Sequence, residues 1–225
     1  MNVIVFDYGA GNLHSLAKAL ERVGASVRIE TDPGRAVLGS ALVLPGVGAF
    51  GAAAERLESG RDTMHDALVN GLPCLGVCLG MQLLFDDSDE GPGRGLGLIP
   101  GRVRELRTQH RPHMGWNDVE FTDVEYKDVE STVVAFADAA GAAVPGRTPG
   151  HSKNLLAYFA HSYVCEPRDP DCVSAWSTHE SDRFPAIVSV ARTTGVQFHP
   201  EKSGLGGLAL LAAWLQAARS HRVKS

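Results

Sequence analysis

Residues Gly71–Phe85 read GLPCLGVCLGMQLLF, with Cys74 and Cys78 four positions apart in an otherwise apolar run. Runs of this kind form buried strands, in which cysteine serves as a small hydrophobe. Only Cys78 is enclosed by glycines, as Gly76-Val77-Cys78-Leu79-Gly80. A G-x-C-x-G motif where a strand passes into a helix has the shape of a nucleophile elbow. Its glycines relieve crowding on both sides of a sharp turn, and the nucleophile between them can hold a sparsely populated backbone conformation. A helix beginning at Leu79 aims free N–H groups and its positive end at the thiol, which favours the thiolate. Cys74 has none of this, so the pattern assigns packing to Cys74 and reactivity to Cys78.

The rest of the chain supplies a frame for that elbow. In the first half, NVIVFD, SVRIE, ALVLPG and PCLGV alternate with helical patterns. One has Leu13, Leu16, Ala17, Leu20 and Val23 on one face, with Asn12 as its expected cap; a second spans about residues 52–70. Short strands separated by helices imply βαβ units and a parallel sheet. In the second half, HMGWNDVEF, AYFAHSYVC, CVSAWST, PAIVSVA and TGVQFHP follow one another closely, as antiparallel strands do, and a helix over roughly 204–219 ends the pattern. The expected fold is α/β, with a mainly parallel central sheet flanked by helices and antiparallel strands added in the C-terminal half. Residues 135–154, rich in Ala, Gly and Pro, read as a surface loop inside one domain covering 1–225.

Composition narrows the function. The chain has 225 residues, 44% hydrophobic and 21% charged, with a formal charge of −5. That balance offers no electrostatic reason to bind nucleic acid or an anionic membrane. There is no leader pattern at Met1, and GLALLAAWLQAA is too short to span a bilayer, so the cytoplasm is expected. Cys74, Cys78, Cys165 and Cys172 form neither a C-x-x-C pair nor a zinc pattern; no metal and no cofactor are expected. The stretch Arg102–Arg111 carries four arginines in ten residues and reads as an exposed strand or turn, or else as a docking surface. YGAGN has two glycines of a dinucleotide fingerprint, but His14 stands where the third belongs, leaving a tight turn as the better reading.

A nucleophilic thiol needs a base, and the base needs an orienting group. GVQFHPEKSG provides both. Pro200 biases His199 toward extended geometry, and if that geometry continues, His199 and Glu201 leave the chain on the same side. The thioester mechanism also calls for an oxyanion hole. Leu79 N–H, directly after the nucleophile, is one donor. The loop LPGVGAF is a candidate for the second, since Gly46 and Gly48 allow close approach of backbone to substrate; a simple turn is the alternative.

With these residues in place, the sequence resembles the class I, or triad, glutamine amidotransferases, and among them the glutaminase subunits of imidazole glycerol phosphate synthase. The matching segments are DYGAGNLHS, LPGVGAF, GVCLGMQLLF, PHMGWN, YFAHSYVC and GVQFHPEKSG, spread over nearly the whole chain. The elbow and FHPE belong to the wider superfamily; PHMGWN together with HSY and PEKSG points to the narrower group. The resemblance implies Cys78 as nucleophile, His199 as general acid/base and Glu201 as its partner. It implies Gly48, Gln82, Ser162 and Tyr163 around the glutamine, and an oxyanion strand Pro45–Gly48 whose Val47 peptide reorients to donate. It also implies that Asn12, Met114, Trp116 and Lys202 face a (β/α)8-barrel cyclase that receives the ammonia. A glutaminase of another pathway, a non-catalytic regulatory relative and a peptidase with the same elbow remain as other readings.

Overall fold

The structure is a computed structural model that describes residues 1–9, 13–46, 48–122 and 154–220. Its strands are β1 (Asn2–Phe6), β2 (Ser26–Glu30), β3 (Ala41–Leu44), β4 (Cys74–Val77), β5 (Asp87–Ser88), β6 (Gly101–Glu105), β7 (His113–Phe121), β8 (Asn154–His161), β9 (Tyr163–Pro167), β10 (Val173–His179), β11 (Asp182–Val190) and β12 (Thr193–Val196). Nine of them form one sheet in the order β2-β1-β3-β4-β12-β11-β10-β7-β8. From β2 to β12 neighbours run parallel; from β12 to β8 they run antiparallel. The α/β frame read from the sequence is therefore the frame observed.

Apolar residues alternate across this sheet and divide the core in two. Val3, Val5, Val43, Leu75 and Val77 point to one side, where Leu16 and Leu20 of helix α1 (His14–Arg22) and Leu210, Leu211 and Trp214 of the C-terminal helix (Gly204–Ser220) cover them. Ile4, Phe6, Leu42, Leu44 and Cys74 point to the other, against Ala53 and Leu57 of α3 (Phe50–Leu57) and Met64 and Leu68 of α4 (Arg61–Val69). Strands buried on both faces must be apolar at every position, which is why ALVL and CLGV carry no polar alternation.

Four local expectations are corrected. The helix over 52–70 is two helices, broken by a 3-10 turn at Glu58–Gly60. There Gly60 presses on the short helix α2 (Pro33–Ala36), and a Cβ on Gly60 would sit 2.4 Å from Pro33 Cβ. Helix α1 begins after Leu13 with no side-chain cap, and Asn12 lies outside the described residues. The helix after Cys78, α5, is the single turn Leu79–Gln82. It stops because the next carbonyls are taken from outside: Leu83, Leu84 and Phe85 accept from the amides of Leu96, Ile99 and Gly97. Finally, not all the later strands join the main sheet; β5, β6 and β9 form a separate three-stranded one.

That small sheet holds the start of the arginine-rich stretch. Arg102 pairs with Asp89, Arg107 with Glu166 at 3.2 Å and Arg111 with Glu105 at 2.8 Å. Arg104, almost wholly buried, grips Asp182 with both terminal nitrogens at 2.7 and 2.8 Å. All four guanidinium groups have carboxylate partners within the chain; the Arg104 pair is buried, and the other three are exposed at the surface. Among the described residues, no helix is long and apolar enough to cross a membrane. Residues 135–153 of the Ala/Gly/Pro-rich loop lie outside the described residues, and Asn154 opens β8.

Candidate active site

Three neighbouring parallel strands, β3, β4 and β12, end on the same side of the sheet, and the candidate site sits beyond their carboxyl ends, where open α/β sheets bind ligands. β4 delivers Cys78. Its φ of 48° and ψ of −104° lie in a region that residues other than glycine rarely occupy. Neighbouring glycines make the turn possible. A Cβ on Gly76 would stand 2.7 Å from the Gly80 carbonyl oxygen, and one on Gly80 would stand 2.0 Å from that of Leu44. The strand, the elbow and β3 are thus packed backbone to backbone, and only glycine fits at either side of the thiol.

β12 delivers the candidate base. Its register sets Val196 beside Val77, so Cys78 and the residues after Val196 leave adjacent strands at the same level. His199 is buried, and its backbone is clamped: its amide donates to Tyr158 O at 2.9 Å, and its carbonyl accepts from Ser203 Oγ at 2.7 Å. Nδ1 lies 2.9 Å from Glu201 Oε1. Burial alone pulls the imidazole pKa down. Interaction of the ring with the Cys78 sulfur, and its hydrogen bond and attraction to the Glu201 carboxylate, outweigh it and raise the pKa to about 9. The site therefore favours imidazolium beside the sulfur. The His199–Glu201 contact is made differently from the extended geometry expected. Pro200 opens a 3-10 turn, Pro200–Lys202, because its fixed φ suits a first helical position, and the turn brings Glu201 back to the ring.

β3 delivers the glycine loop. Gly46 lies so close that a Cβ there would meet Val77 O at 2.7 Å and Cys78 Cβ at 2.9 Å. Gly48 has a φ of 121°, open to glycine alone. Val47, between them, lies outside the described residues. Leu79 opens α5, so its N–H has no acceptor within that helix. Gln82, buried on the same turn, donates from Nε2 to Tyr163 O at 3.1 Å. Ser162 and Tyr163 follow β8 directly, and Ala160 of β8 has its carbonyl 3.9 Å from Cys78 Sγ. Every described residue assigned to nucleophile, base, acid or substrate therefore comes from the segments that meet at this corner.

The site brings a thiol to the end of one strand and an imidazole hydrogen-bonded to a carboxylate to the end of its neighbour, a set of groups able to form and hydrolyse a thioester. A family model described as glutamine amidotransferase class-I matches residues 4–215. The chain belongs to the class-I glutamine amidotransferases. Within that family it is 40% identical over 219 residues to the imidazole glycerol phosphate synthase subunit HisH of Microcystis aeruginosa, covering 95% of this chain and 94% of the relative. It is 42% identical over 219 residues to the HisH subunit of Halobacterium salinarum, covering 93% and 90%. Two solved structures share the fold. One, a glutamine amidotransferase, has a TM-score of 0.66 at 16% identity, covering 96% and 98% of the two chains. The other, PurLQS from Thermotoga maritima, has a TM-score of 0.63 at 18% identity, also covering 96% and 98%.

Two features of this amidotransferase escaped the sequence reading. Gln197, fully buried, donates from Nε2 to Cys78 Sγ at 3.5 Å. The signal was available: a lone amide in the apolar run GVQFHP, two residues before His199. The second is a histidine cluster. His161 Nδ1 donates to Tyr163 O at 3.0 Å, which leaves its Nε2 to accept from His113 Nδ1 at 3.1 Å. His113 in turn stacks on His179, with ring centroids 4.1 Å apart. Burial first, then neighbouring histidines, lower His113 to about 4 and His161 to about 3, so both rings are neutral. These rings come from three strands far apart in sequence, and no local pattern announces them.

Proposed function

We propose that this chain is the glutaminase subunit of an imidazole glycerol phosphate synthase, one domain over 1–225, acting in the cytoplasm on histidine biosynthesis. Cys78 attacks the side-chain amide carbon of glutamine while its proton passes to His199. His199 returns that proton to the departing nitrogen, ammonia leaves, and water hydrolyses the glutamyl thioester with His199 again as base. Glu201 holds the imidazole and stabilises its charged form. Leu79 N–H and the reoriented Val47 peptide receive the oxyanion, while Gly48, Gln82, Ser162 and Tyr163 surround the substrate. The observation that carries the reading is Cys78 and the hydrogen-bonded pair His199 and Glu201 standing beyond the ends of adjacent parallel strands.

Ammonia released into water at neutral pH is protonated and lost as a nucleophile, so a glutaminase is useful only against an acceptor. We place the acceptor on a (β/α)8-barrel cyclase subunit, which makes imidazole glycerol phosphate and an aminoimidazole carboxamide ribotide. The face it would cover is defined by register. Met114 and Trp116 of β7 lie opposite Ala160 and Tyr158 of β8, so these four share one side of the pair, and His113 and Phe159 share the buried other side. Met114 is 65% exposed and Trp116 54%, which supports docking over core packing for both. Lys202 Nζ stands 5.7 Å from the Tyr158 ring at the edge of this face. Tyr158 also accepts the His199 amide, so a partner seated here would press directly on the base. Asn12 is assigned to the same face from the family resemblance.

A glutaminase assay with and without the cyclase and its ligand tests the reading. The chain alone is expected to turn over poorly, and partner plus ligand to raise kcat by roughly 10²–10³, the worth of one oxyanion donor. Equal turnover of subunit and complex would remove the conditional oxyanion strand, and no turnover in either would remove the glutaminase.

A further inference from the structure

Gln197 is built into the catalytic corner in a way that the triad does not explain. It leaves the end of β12 with no exposed surface, its backbone amide fixed to Ala186 O at 2.9 Å. A carboxamide has a donor end and an acceptor end, and the neighbours decide which way this one points. The Tyr163 carbonyl, able only to accept, draws the Nε2 end of Gln82 at 3.1 Å. That same Nε2 stands 3.5 Å from Gln197 Oε1, so Gln197 is held with its oxygen toward Gln82 and its N–H groups toward Cys78 Sγ. His161 also donates to the Tyr163 carbonyl, which anchors the chain of amides on the side away from the sulfur.

We propose that Gln197 is a further catalytic residue of the glutaminase, donating a hydrogen bond to the Cys78 sulfur that stabilises the thiolate before attack. The inference rests on the reading of Cys78 as nucleophile and adds a donor to it. The thiol proton goes to His199, the freed electron pair on sulfur meets the Gln197 N–H, and that pair then forms the S–C bond. The C–N bond of the substrate breaks and ammonia departs with the proton from His199. Once the thioester exists the sulfur carries no charge, and the Gln197 contact weakens to an ordinary one. Gln82 is here a positioning residue, acting on the sulfur only through Gln197.

Alkylation of Cys78 by iodoacetamide, followed peptide by peptide across pH in the full chain, reads the thiolate without glutamine or partner. Interacting with the same sulfur are the His199 ring, with Glu201 behind it, the Ala160 carbonyl of β8 and, electrostatically, the buried Cys165 of β9, and none of these is substituted in the variants. Gln197→Met, equal in length and without a donor, should move the rate profile to higher pH. Below neutrality it should alkylate several-fold more slowly, and at high pH it should match or overtake the wild type, because a thiolate relieved of its donor is the better nucleophile. Gln197→Glu, which turns an acceptor toward the sulfur, should move the profile further. If either variant fails to fold, Gln82→Met decides, since it frees the Gln197 amide to rotate and should shift the profile in the same direction by less. Profiles that overlay the wild type's would overturn the inference. Overlaid profiles together with glutamine turnover by the wild-type complex would leave the glutaminase reading intact. Shifted profiles with no turnover would overturn that reading and keep the donor.

Discussion

The backbone amide of Cys78 donates to the Val196 carbonyl across 2.7 Å, so a bond between the ends of β4 and β12 lies directly under the proposed nucleophile. Beyond that bond the two chains diverge, one into the elbow and one into the turn that carries His199 and Glu201. The relative position of thiol and base is thus set by sheet register, which a one-residue slip would destroy. Placing reactive groups on the ends of rigid strands holds them in geometry without a bound substrate.

Gly80→Ala should break this arrangement. The added methyl would fall 2.0 Å from the Leu44 carbonyl oxygen, a backbone atom of β3 that has no room to retreat. Separating β3 from the elbow should cost about 3 kcal/mol or more, at the upper end of overpacking effects. Urea unfolding measures it; a loss under about 1 kcal/mol would show that the elbow is looser than the packing implies.

The histidine cluster should make the protein acid-sensitive before its carboxylates titrate. His113 and His161 hold folded values near 4 and 3, below the unfolded value of about 6.5. A depressed folded value means the unfolded chain binds the proton more tightly. Stability is therefore full above about pH 6.5 and falls as the pH drops toward the folded values. By pH 5 the loss should be on the order of 2 kcal/mol for each histidine. Thermal melts at pH 7.5 and 5.0 should show a large drop for wild type and a smaller one for His113→Gln, whose amide does not titrate. Equal drops would place the acid sensitivity elsewhere.

What could be read beforehand depended on whether the signal was local. The elbow was legible because Gly76, Cys78 and Gly80 are separated by single residues, and His199 with Glu201 because they lie two apart. The turn that joins the latter pair was missed, since a proline after a strand suits an extended chain and a 3-10 turn equally. For Met114 and Trp116 the family resemblance alone pointed outward, since a large apolar residue in a strand suits either face. Only the pairing of β7 with β8 shows that they stand on the outward side of the sheet. The small sheet escaped because β5 is two residues long, and the paired strands β6 and β9 are separated in sequence by two strands of the other sheet.

Trp116→Ala tests that outward face. Trp116 packs edge-on to Tyr158, with centroids 6.0 Å apart, and is otherwise half exposed, so truncation should cost the isolated chain little. If the cyclase seats here, a central tryptophan should matter much more to binding, raising Kd roughly 30-fold or more. Titration calorimetry with the cyclase reads the affinity, and a melt of the free chain provides the control. An unchanged Kd would move the docking face away from β7 and β8.

The two cysteines of the opening motif give the sharpest division. Cys78→Ala removes the nucleophile and leaves the glycine packing, the β4–β12 bond and the β7–β8 face unaltered, so the complex should still assemble. Glutamine-dependent product formation should vanish, because without the thiolate no thioester forms. Ammonium salt at high pH should still drive the reaction, since the proposed partner carries the acceptor chemistry. Cys74 lies on the opposite face of β4, buried against the α3 and α4 side of the core, where burial pushes its thiol far up. Cys74→Ala should therefore cost roughly 1–2 kcal/mol in packing and leave glutamine-dependent turnover in place at moderate temperature. Product formation is measured with glutamine and with ammonium for wild type and both variants. Glutamine-driven synthesis surviving in Cys78→Ala, or lost in a folded Cys74→Ala, would reverse the assignment of the two thiols.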